Sequence, residues 1–558
     1  MQKNQLYTVS LLAISLGAFA QQPPPPTGGG QFQQIPPSVV PPRAPPQIRV
    51  EPASVPAAQA GDQIKVMVKS LRVTGQTVYP EADLLAQTGF VAGSELNITE
   101  LRAMAAKISD YYHAHGYFVA QAYLPPQDIR DGAVTIAVLE GKYGKIVLHN
   151  NTNLTEGTAN GILRGLNSGD TIAIAPLERR LLLLSDLPGV TVSSTLVPGA
   201  AAGESDLIVD INPGKRVSGE VDADNAGNRY TGEYRLGATV NLNNPTGHGD
   251  VLSLRVLAAS RLHYGRLSYE TQVGQGRVGA AYTALDYKLG REFAPLQAHG
   301  TAQVASIYGS YPLIRSRNTN LYTLVDFDAK TFQDKIDSTS PSTVTDKKVQ
   351  VGNIGLYGDH RDGFGGGGFS NYSVTGYFGN LDIRTPAALA ADQSTAKSNG
   401  HYGKVAFNVA RLQNLGGPFT LYGALRGQFA SKNLDISEKM ELGGMYAVRA
   451  YPEGEAYADE GYVATLEARM LLPRFSQSER GQLHLVGFID HGGVTTNHSP
   501  WAPGQNHRNL SAAGVGITWE DYNNFVARAY YAHKVGNAVA TSAPDASGRF
   551  WVQAIKYF

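Results

Sequence analysis

Cysteine is absent from all 558 residues. That one absence removes disulfides, thiol nucleophiles and cysteine-based metal sites together. Net charge is absent too: 47 Lys and Arg balance 47 Asp and Glu, so no basic excess points to nucleic acid. Beyond the N-terminal segment, no apolar run approaches the ~18 residues that a transmembrane helix requires. Signatures of catalysis are missing as well. There is no H-E-x-x-H, no Walker loop, no G-x-S-x-G and no acid pair placed for hydrolysis. The histidines are scattered; His113 and His115 end a helical pattern and read as surface residues rather than metal ligands. Gly363-Phe364-Gly365-Gly366-Gly367-Gly368 has the spacing of a dinucleotide fingerprint. An alternating, strand-like stretch, Phe369 to Tyr377, follows where that fingerprint needs a helix, so the glycines read as a flexible turn. Enzyme is the weakest class, and no catalytic residue, metal site or cofactor is expected.

Glycine (62) and tyrosine (29) are plentiful, which suits a β-rich protein with many turns and aromatic girdles. Residues 1–20 read as a secretory signal peptide. Lys3 supplies the positive start, Leu6 to Leu16 the apolar stretch and Ala18-Phe19-Ala20 the small-x-small cleavage site. A short buried helix is the alternative. Residues 21–62 form a Pro/Gly-rich linker, with Pro23 to Pro26, Gly28 to Gly30, Pro36-Pro37, Pro41-Pro42 and Pro45-Pro46. Extended polyproline geometry at ~3.1 Å per residue lets such a segment reach on the order of 120 Å. No stretch of it has the caps, periodicity and ~12 residues that a stable helix wants.

Residues 63–142 pattern as a compact α+β unit. Ile64, Val66 and Val68 alternate, Pro80 opens a short helix with Leu84 and Leu85 inward, and Asn97 with Glu100 forms a capping box. Leu101, Met104, Ala105, Ile108, Tyr111 and Tyr112 then line one helical face, and strands follow at Tyr117–Leu124 and Ala133–Leu139. Residues 143–214 repeat the β-α-α-β-β order, with Leu177, Leu181 and Leu184 on one face of the second helix. From residue 215 to 558 the pattern changes to short alternating strands, with room for about sixteen of ~10 residues plus connections. Val405, Phe407 and Val409 alternate with Lys404, Ala406 and Asn408; Leu483, Leu485 and Ile489 alternate with Gln482, His484 and Asp490. A membrane β-barrel with an apolar outside and a wet lumen accounts for this; a β-sandwich or propeller is the soluble alternative. Asn243 to Asp250 reads as a turn and nothing more.

Between strand patterns near Leu421 and Val463 lies a loop, residues 432–460, that holds Val448-Arg449-Ala450-Tyr451-Pro452-Glu453-Gly454-Glu455. Further on comes Phe488-Ile489-Asp490-His491-Gly492. The parity of Asp490 matches Gln482 and His484, so its carboxylate faces the lumen. These two motifs, in this order, resemble the Val-Arg-Gly-Tyr/Phe signature of an inward-folded sixth extracellular loop and the Phe-x-Asp-x-Gly barrel-strand motif of two-partner secretion outer-membrane transporters (TpsB proteins, the hemolysin secretion/activation family). Ala450 stands where the family pattern has Gly. Tyr117, Ala120, Ala122 and Leu124-Pro125-Pro126-Gln127 resemble that family's first POTRA domain, and Asn244-Pro245-Thr246-Gly247-His248-Gly249-Asp250 resembles its early barrel turn. Phe558 resembles the terminal aromatic by which barrels are recognised for insertion, with Lys556 on the same parity.

The resemblance implies two periplasmic α+β POTRA domains followed by an outer-membrane antiparallel barrel of about sixteen strands. It also implies that Arg449 pairs with Asp490 as a conformational lock, with Val448, Ala450, Tyr451, Pro452, Gly454 and Glu455 shaping the loop and Phe488 and Gly492 the facing strand. The partners it implies are a large secreted TpsA-type client bound unfolded on POTRA edge strands, outer-membrane lipid, and the barrel-assembly machinery during biogenesis. An assembly insertase and a passive porin are the alternatives. A plug helix, frequent in the family, is not supported by residues 21–62, although the linker is.

Overall fold

The computed structural model describes residues 25–36, 46–51, 65–474, 480–521 and 523–558. The signal peptide expected at residues 1–20 lies outside them. The first described stretch corrects the linker reading: a six-residue helix, α1 (Gly28–Gln33), stands within it. Its sequence, Gly-Gly-Gly-Gln-Phe-Gln, cannot carry a helix alone, because each glycine costs ~1 kcal/mol against alanine. Tertiary contact makes up the deficit. Gly28, Gly29, Gly30 and Gln31 are buried, and Phe32 and Ile35 pack on an apolar cluster of barrel residues that includes Leu285 and Phe332. A second correction follows at β1 (Gln47–Val50), a strand inside the same linker.

The first α+β unit comprises β2 (Val66–Val68), β3 (Ser70–Thr74), α2 (Glu81–Thr88), β4 (Ser94–Leu96), α3 (Ile98–Ala114), β5 (Gln121–Tyr123) and β6 (Ala133–Leu139). The capping box forms: Glu100 N donates to Asn97 Oδ1 at 2.8 Å, and Asn97 N donates to the Glu100 carboxylate at 2.7 Å. Leu101, Ala105, Ile108 and Tyr112 bury the predicted face of α3. The sheet runs β3–β6–β5, while β2 and β4 pair separately. The strand expected over Tyr117–Leu124 is shorter, because Tyr117 to Ala120 close a turn first.

The second unit comprises β7 (Lys142–Asn150), α4 (Glu156–Leu163), α5 (Ile174–Ser185), β8 (Val190–Pro198) and β9 (Glu204–Pro213). Leu177, Leu181 and Leu184 are buried on α5, as the spacing predicts. Its sheet runs β1–β8–β9–β7. The β8 edge is therefore already taken: residues 47–50 lie parallel to it, from Gln47 opposite Ser193 to Val50 opposite Leu196. This corrects the expectation of a free edge there.

Sixteen antiparallel strands then close a barrel: β10 (Val217–Asp224), β11 (Arg235–Asn243), β12 (Val251–Ala259), β13 (Leu262–Val273), β14 (Gly276–Lys288), β15 (Ala298–Arg315), β16 (Thr319–Ile336), β17 (Thr343–Asp362), β18 (Gly368–Ile383), β19 (Gly400–Gly416), β20 (Phe419–Ala430), β21 (Glu460–Leu471), β22 (Gln482–Thr495), β23 (His507–Asp521), β24 (Phe525–Lys534) and β25 (Gly548–Tyr557). β25 closes on β10 from Glu220 opposite Tyr557 to Asp224 opposite Gln553. Closure leaves no exposed edge and pairs the backbone polar groups within the wall, which lipid demands. Odd and even residues sort as the alternation requires. Leu254, Val256, Val325, Phe327, Val405, Val409, Leu485 and Ile489 are exposed outside, whereas Glu220, Asp222, Asp224, Arg255 and Asp490 are buried within. Lys556 points outward and reaches Asn524, its ammonium kept near the strand ends. The glycine-rich stretch at 363–367 is the β17–β18 hairpin. Among the described residues no helix is long and apolar enough to cross a membrane.

The turn at Asn243–Asp250 does more than reverse the chain. Asn153 Nδ2 donates to Asn244 O (2.8 Å), Asn244 Nδ2 to Asn153 Oδ1 (2.9 Å), and Thr155 N to Gly247 O (2.7 Å). Gly247 has φ 84°, and a Cβ there would lie 2.3 Å from Asn153 O. The second α+β unit thus docks on this turn, a long-range role that turn chemistry alone does not reveal.

Candidate functional site

The β20–β21 connection, residues 431–459, is the sixth on the side of the barrel away from the α+β units. A loop this long in an ordered protein is unusual and points to function. It folds back into the barrel, where its backbone has to be satisfied internally. Met440 and Ala458 exchange two hydrogen bonds, Leu442 N and Gly443 N both donate to Glu455 O, Val448 N donates to Leu442 O, and Tyr451 N to Val448 O. The tip then packs on the wall as a small core. Leu442, Met445, Ala447, Val448, Ala450 and Tyr451 meet Val463, Val486, Phe488, Leu510, Tyr530 and Trp551. The lumen is apolar on this arc because the loop covers it.

Arg449 enters at the centre of that contact and is 4 % exposed, while Asp490 is fully buried. Arg449 Nε donates to Asp490 Oδ2 and Nη2 to Oδ1, each at 2.8 Å, the two-pronged match of a planar guanidinium to a carboxylate. Arg449 N adds a bond to Asp490 Oδ2 at 3.2 Å, and Thr465 Oγ1 donates to Oδ1 at 3.0 Å. The guanidinium carbon lies 3.5 Å from the centre of the Phe488 ring, an attraction of ~0.5–2 kcal/mol. Trp551 Nε1 donates to Arg449 O at 2.6 Å.

Sequence reasoning missed a third partner. Arg449 Nη1 donates to Glu467 Oε1 at 2.8 Å, and Glu467 in turn takes Arg469 at 2.6 Å. Two arginines and two carboxylates therefore form a charge-balanced cluster. Parity on β21 was the signal, since Glu467 shares the luminal face with Thr465.

Most of the other motif residues converge here. Gly492 has a packing reason: a Cβ on it would lie 2.2 Å from Leu442 Cδ1. Ala450 is fully buried and has no positive φ, so glycine is not required there. Tyr451 OH donates to Ala538 O at 3.1 Å. Glu455 accepts from Thr541 N at 2.9 Å, Ser542 N at 2.8 Å and Arg508 Nη1 at 2.6 Å, which ties the loop to the β24–β25 connection. Pro452 is buried beside this anchor, and Gly454 turns with φ 81°. Phe558 lies apart at the end of β25, its N donating to Gly219 O at 3.1 Å.

The closed barrel with α+β units at one end and a buried, ion-paired loop inside defines an outer-membrane transporter barrel. The comparisons agree. Residues 203–519 match the family of haemolysin secretion/activation protein ShlB/FhaC/HecB, and residues 66–141 match the POTRA domain, ShlB-type. The heme/hemopexin transporter protein HuxB of Haemophilus influenzae (strain 86-028NP) is 32 % identical over 480 residues, covering 84 % of this chain and 82 % of that protein. The outer membrane transporter CdiB of Dickeya dadantii (strain 3937) is 22 % identical, covering 71 % of this chain and 70 % of that one. The solved CdiB from Escherichia coli superposes with a TM-score of 0.69 at 20 % identity, over 90 % of this chain and 93 % of that one. BamA from Haemophilus ducreyi lacking POTRA domains 1–3 reaches 0.53 at 16 % identity, over 88 % and 100 %. The chain belongs to the haemolysin secretion/activation family. It is a two-partner secretion transporter of the outer membrane, with its POTRA domain in the periplasm.

Proposed function

We propose that the chain exports one large TpsA-type client, received unfolded in the periplasm and passed through the barrel. The observation that carries this is the buried Arg449–Asp490 fork, which holds a polypeptide-sized obstruction in the bore by contacts that can be broken. We read residues 143–214 as a second POTRA domain, residues 1–20 as a removed signal peptide, and the outer apolar face as lipid-facing. The final strand ending at Phe558 would be recognised by the barrel-assembly machinery. An extended client segment can add to a sheet edge through main-chain hydrogen bonds, with little demand on its sequence. The outer edges of β3 and β5 carry no further strand among the described residues, although Val73 N donates to Glu81 Oε1 at 2.9 Å and Ala122 N to Ser109 Oγ at 2.8 Å; the β8 edge opens only when residues 47–50 leave. Folding of the client outside would supply direction without nucleotide.

The name of the HuxB relative makes a secreted partner that handles heme or hemopexin the first client to test. An insertase reading is weaker, because the likeness to BamA is lower than that to CdiB. The test pairs liposome conductance with capture of the client's N-terminal secretion domain. Specific capture and a gated channel are expected; a permanently open pore that captures nothing would indicate a porin.

A further inference from the structure

Two arcs of the wall hold the inward loop, and only one bears the motifs. The tip sits on β21 and β22 through Arg449. The root crosses to β16, β17 and β19. Glu438 there is 2 % exposed. One of its carboxylate oxygens takes Lys330 Nζ at 2.8 Å and the other Lys404 Nζ at 2.9 Å. Lys404 Nζ also donates to Glu438 O at 2.8 Å, and Gln428 Nε2 donates to the same carbonyl at 3.1 Å. Asp435, three residues earlier, takes Lys347 Nζ at 2.6 Å. Two buried ammonium groups converge on Glu438, so removing its charge leaves Lys404 without its carboxylate partner and Lys330 with Asp328 alone, 3.8 Å away.

The same turn, Ile436–Glu438, is the seat of α1. A Cβ on Gly29 would lie 2.8 Å from Ser437 Cβ, and one on Gly30 would lie 3.3 Å from Ile436 Cδ1. Gly28 N donates to Asp334 Oδ1 at 2.8 Å, and Tyr457 OH donates to Gly30 O at 3.3 Å. Gly29 and Gly30, which weaken the helix, are what let it approach this turn, while Gly28 faces Asp334 and Thr301 on the wall. With so little intrinsic helical stability, α1 depends on both its supports: this turn, and the barrel, where Thr231 Oγ1 donates to Gln31 Oε1 and Arg235 Nη1 to Gln34 O, each at 2.8 Å.

We propose that Glu438 is a positioning residue that fixes the root of the loop and, through the root, retains α1 in the bore. The root latch and the Arg449 tip lock release separately, and the helix follows the root. This deepens the secretion reading and rests on it.

The test needs no client. The full chain lacks cysteine, so spin labels at Gln33→Cys and Ser338→Cys report the α1-to-barrel distance while planar-bilayer recordings report the open fraction. Glu438→Gln is expected to broaden that distance and raise the open fraction about tenfold, equivalent to ~1.4 kcal/mol. Gly29→Val should do the same with Glu438 intact, and the two together should go no further than either alone. The swap Glu438→Lys with Lys404→Glu keeps one carboxylate between two ammonium groups and leaves Lys330 beside Asp328; it should restore the narrow distance and the closed channel, and it serves if Glu438→Gln does not fold. An unmoved helix in Glu438→Gln, or one displaced as fully by Arg449→Ala, overturns the proposal. Client export, assayed separately, judges the secretion reading: its failure with the latch results intact would leave the latch standing.

Discussion

At the scale of single residues, Arg449 is held by its surroundings more than by one partner. Its fork meets Asp490, its third nitrogen meets Glu467 and its flat face lies on Phe488. Arg449→Ala would leave two buried carboxylates with only Arg469 for balance. Losing a partner from a buried pair costs ~3–5 kcal/mol, less where luminal water enters. The expected outcome is faster hydrogen exchange across residues 440–456 with the barrel strands unchanged. The obvious rescue, Arg449→Asp with Asp490→Arg, should restore little, because the new carboxylate would face Glu467. Full recovery of secretion by that swap would show that Glu467 is not part of the lock. A second prediction uses no charge at all. Gly492→Val collides with Leu442 and with Tyr462 O, 2.9 Å from the added Cβ. It should undock the tip as Arg449→Ala does, and Leu442→Ala should relieve part of the effect, read by the same exchange experiment.

At the scale of elements, the strand β1 and the inward loop both occupy places that the proposed client would use. Replacing residues 47–50 by Gly-Ser repeats frees the β8 edge, whose partner they are. Affinity for the client's secretion domain should rise several-fold by calorimetry; an unchanged affinity would place client binding elsewhere. The loop also carries a pH dependence. Glu453 borders a luminal cavity of about 490 Å³ with Glu441, Arg426, Tyr446 and Gln34. Burial holds its carboxyl up at about 7, against the pull of Arg235, and burial beside Glu453 raises Glu441 as well. A raised carboxyl favours the docked loop in its protonated form. That contribution is complete below the ordinary carboxylate range and fades as pH rises through about 7. The open fraction should therefore increase from about pH 5 to about pH 8, and Glu453→Gln should flatten the profile.

At the scale of the whole molecule, two sets of contacts among the described residues join the second α+β unit to the barrel. One is the Asn153–Asn244 contact. The other is α5, where Arg315 forks onto Asp186 at 2.7 Å, Arg317 pairs with Glu178, and Arg179 donates to Pro312 O at 2.8 Å. Solvent reaches these ion pairs, so each contributes only ~0–1 kcal/mol, and the set acts as a hinge rather than a weld. Arg315→Ala with Arg317→Ala should broaden spin-label distances between α5 and the barrel, with the barrel's resistance to heat in detergent unchanged. A narrow distribution would mean that the Asn244 turn alone sets the angle.

Much of this was legible in the residues themselves, because it depends on periodicity and local chemistry. A two-residue repeat sorts side chains to two faces wherever the strand lies, so the barrel, the luminal parity of Asp490 and the capping box at Asn97 followed from spacing. The residues that meet only when distant segments close on one another were not legible. Glu467 under Arg449, Glu438 between two lysines, the glycine helix in the bore and β1 on β8 each depend on barrel closure and on loop and linker turning inward. A triple glycine reads as linker by propensity, and only a wall pressed against it makes it a helix.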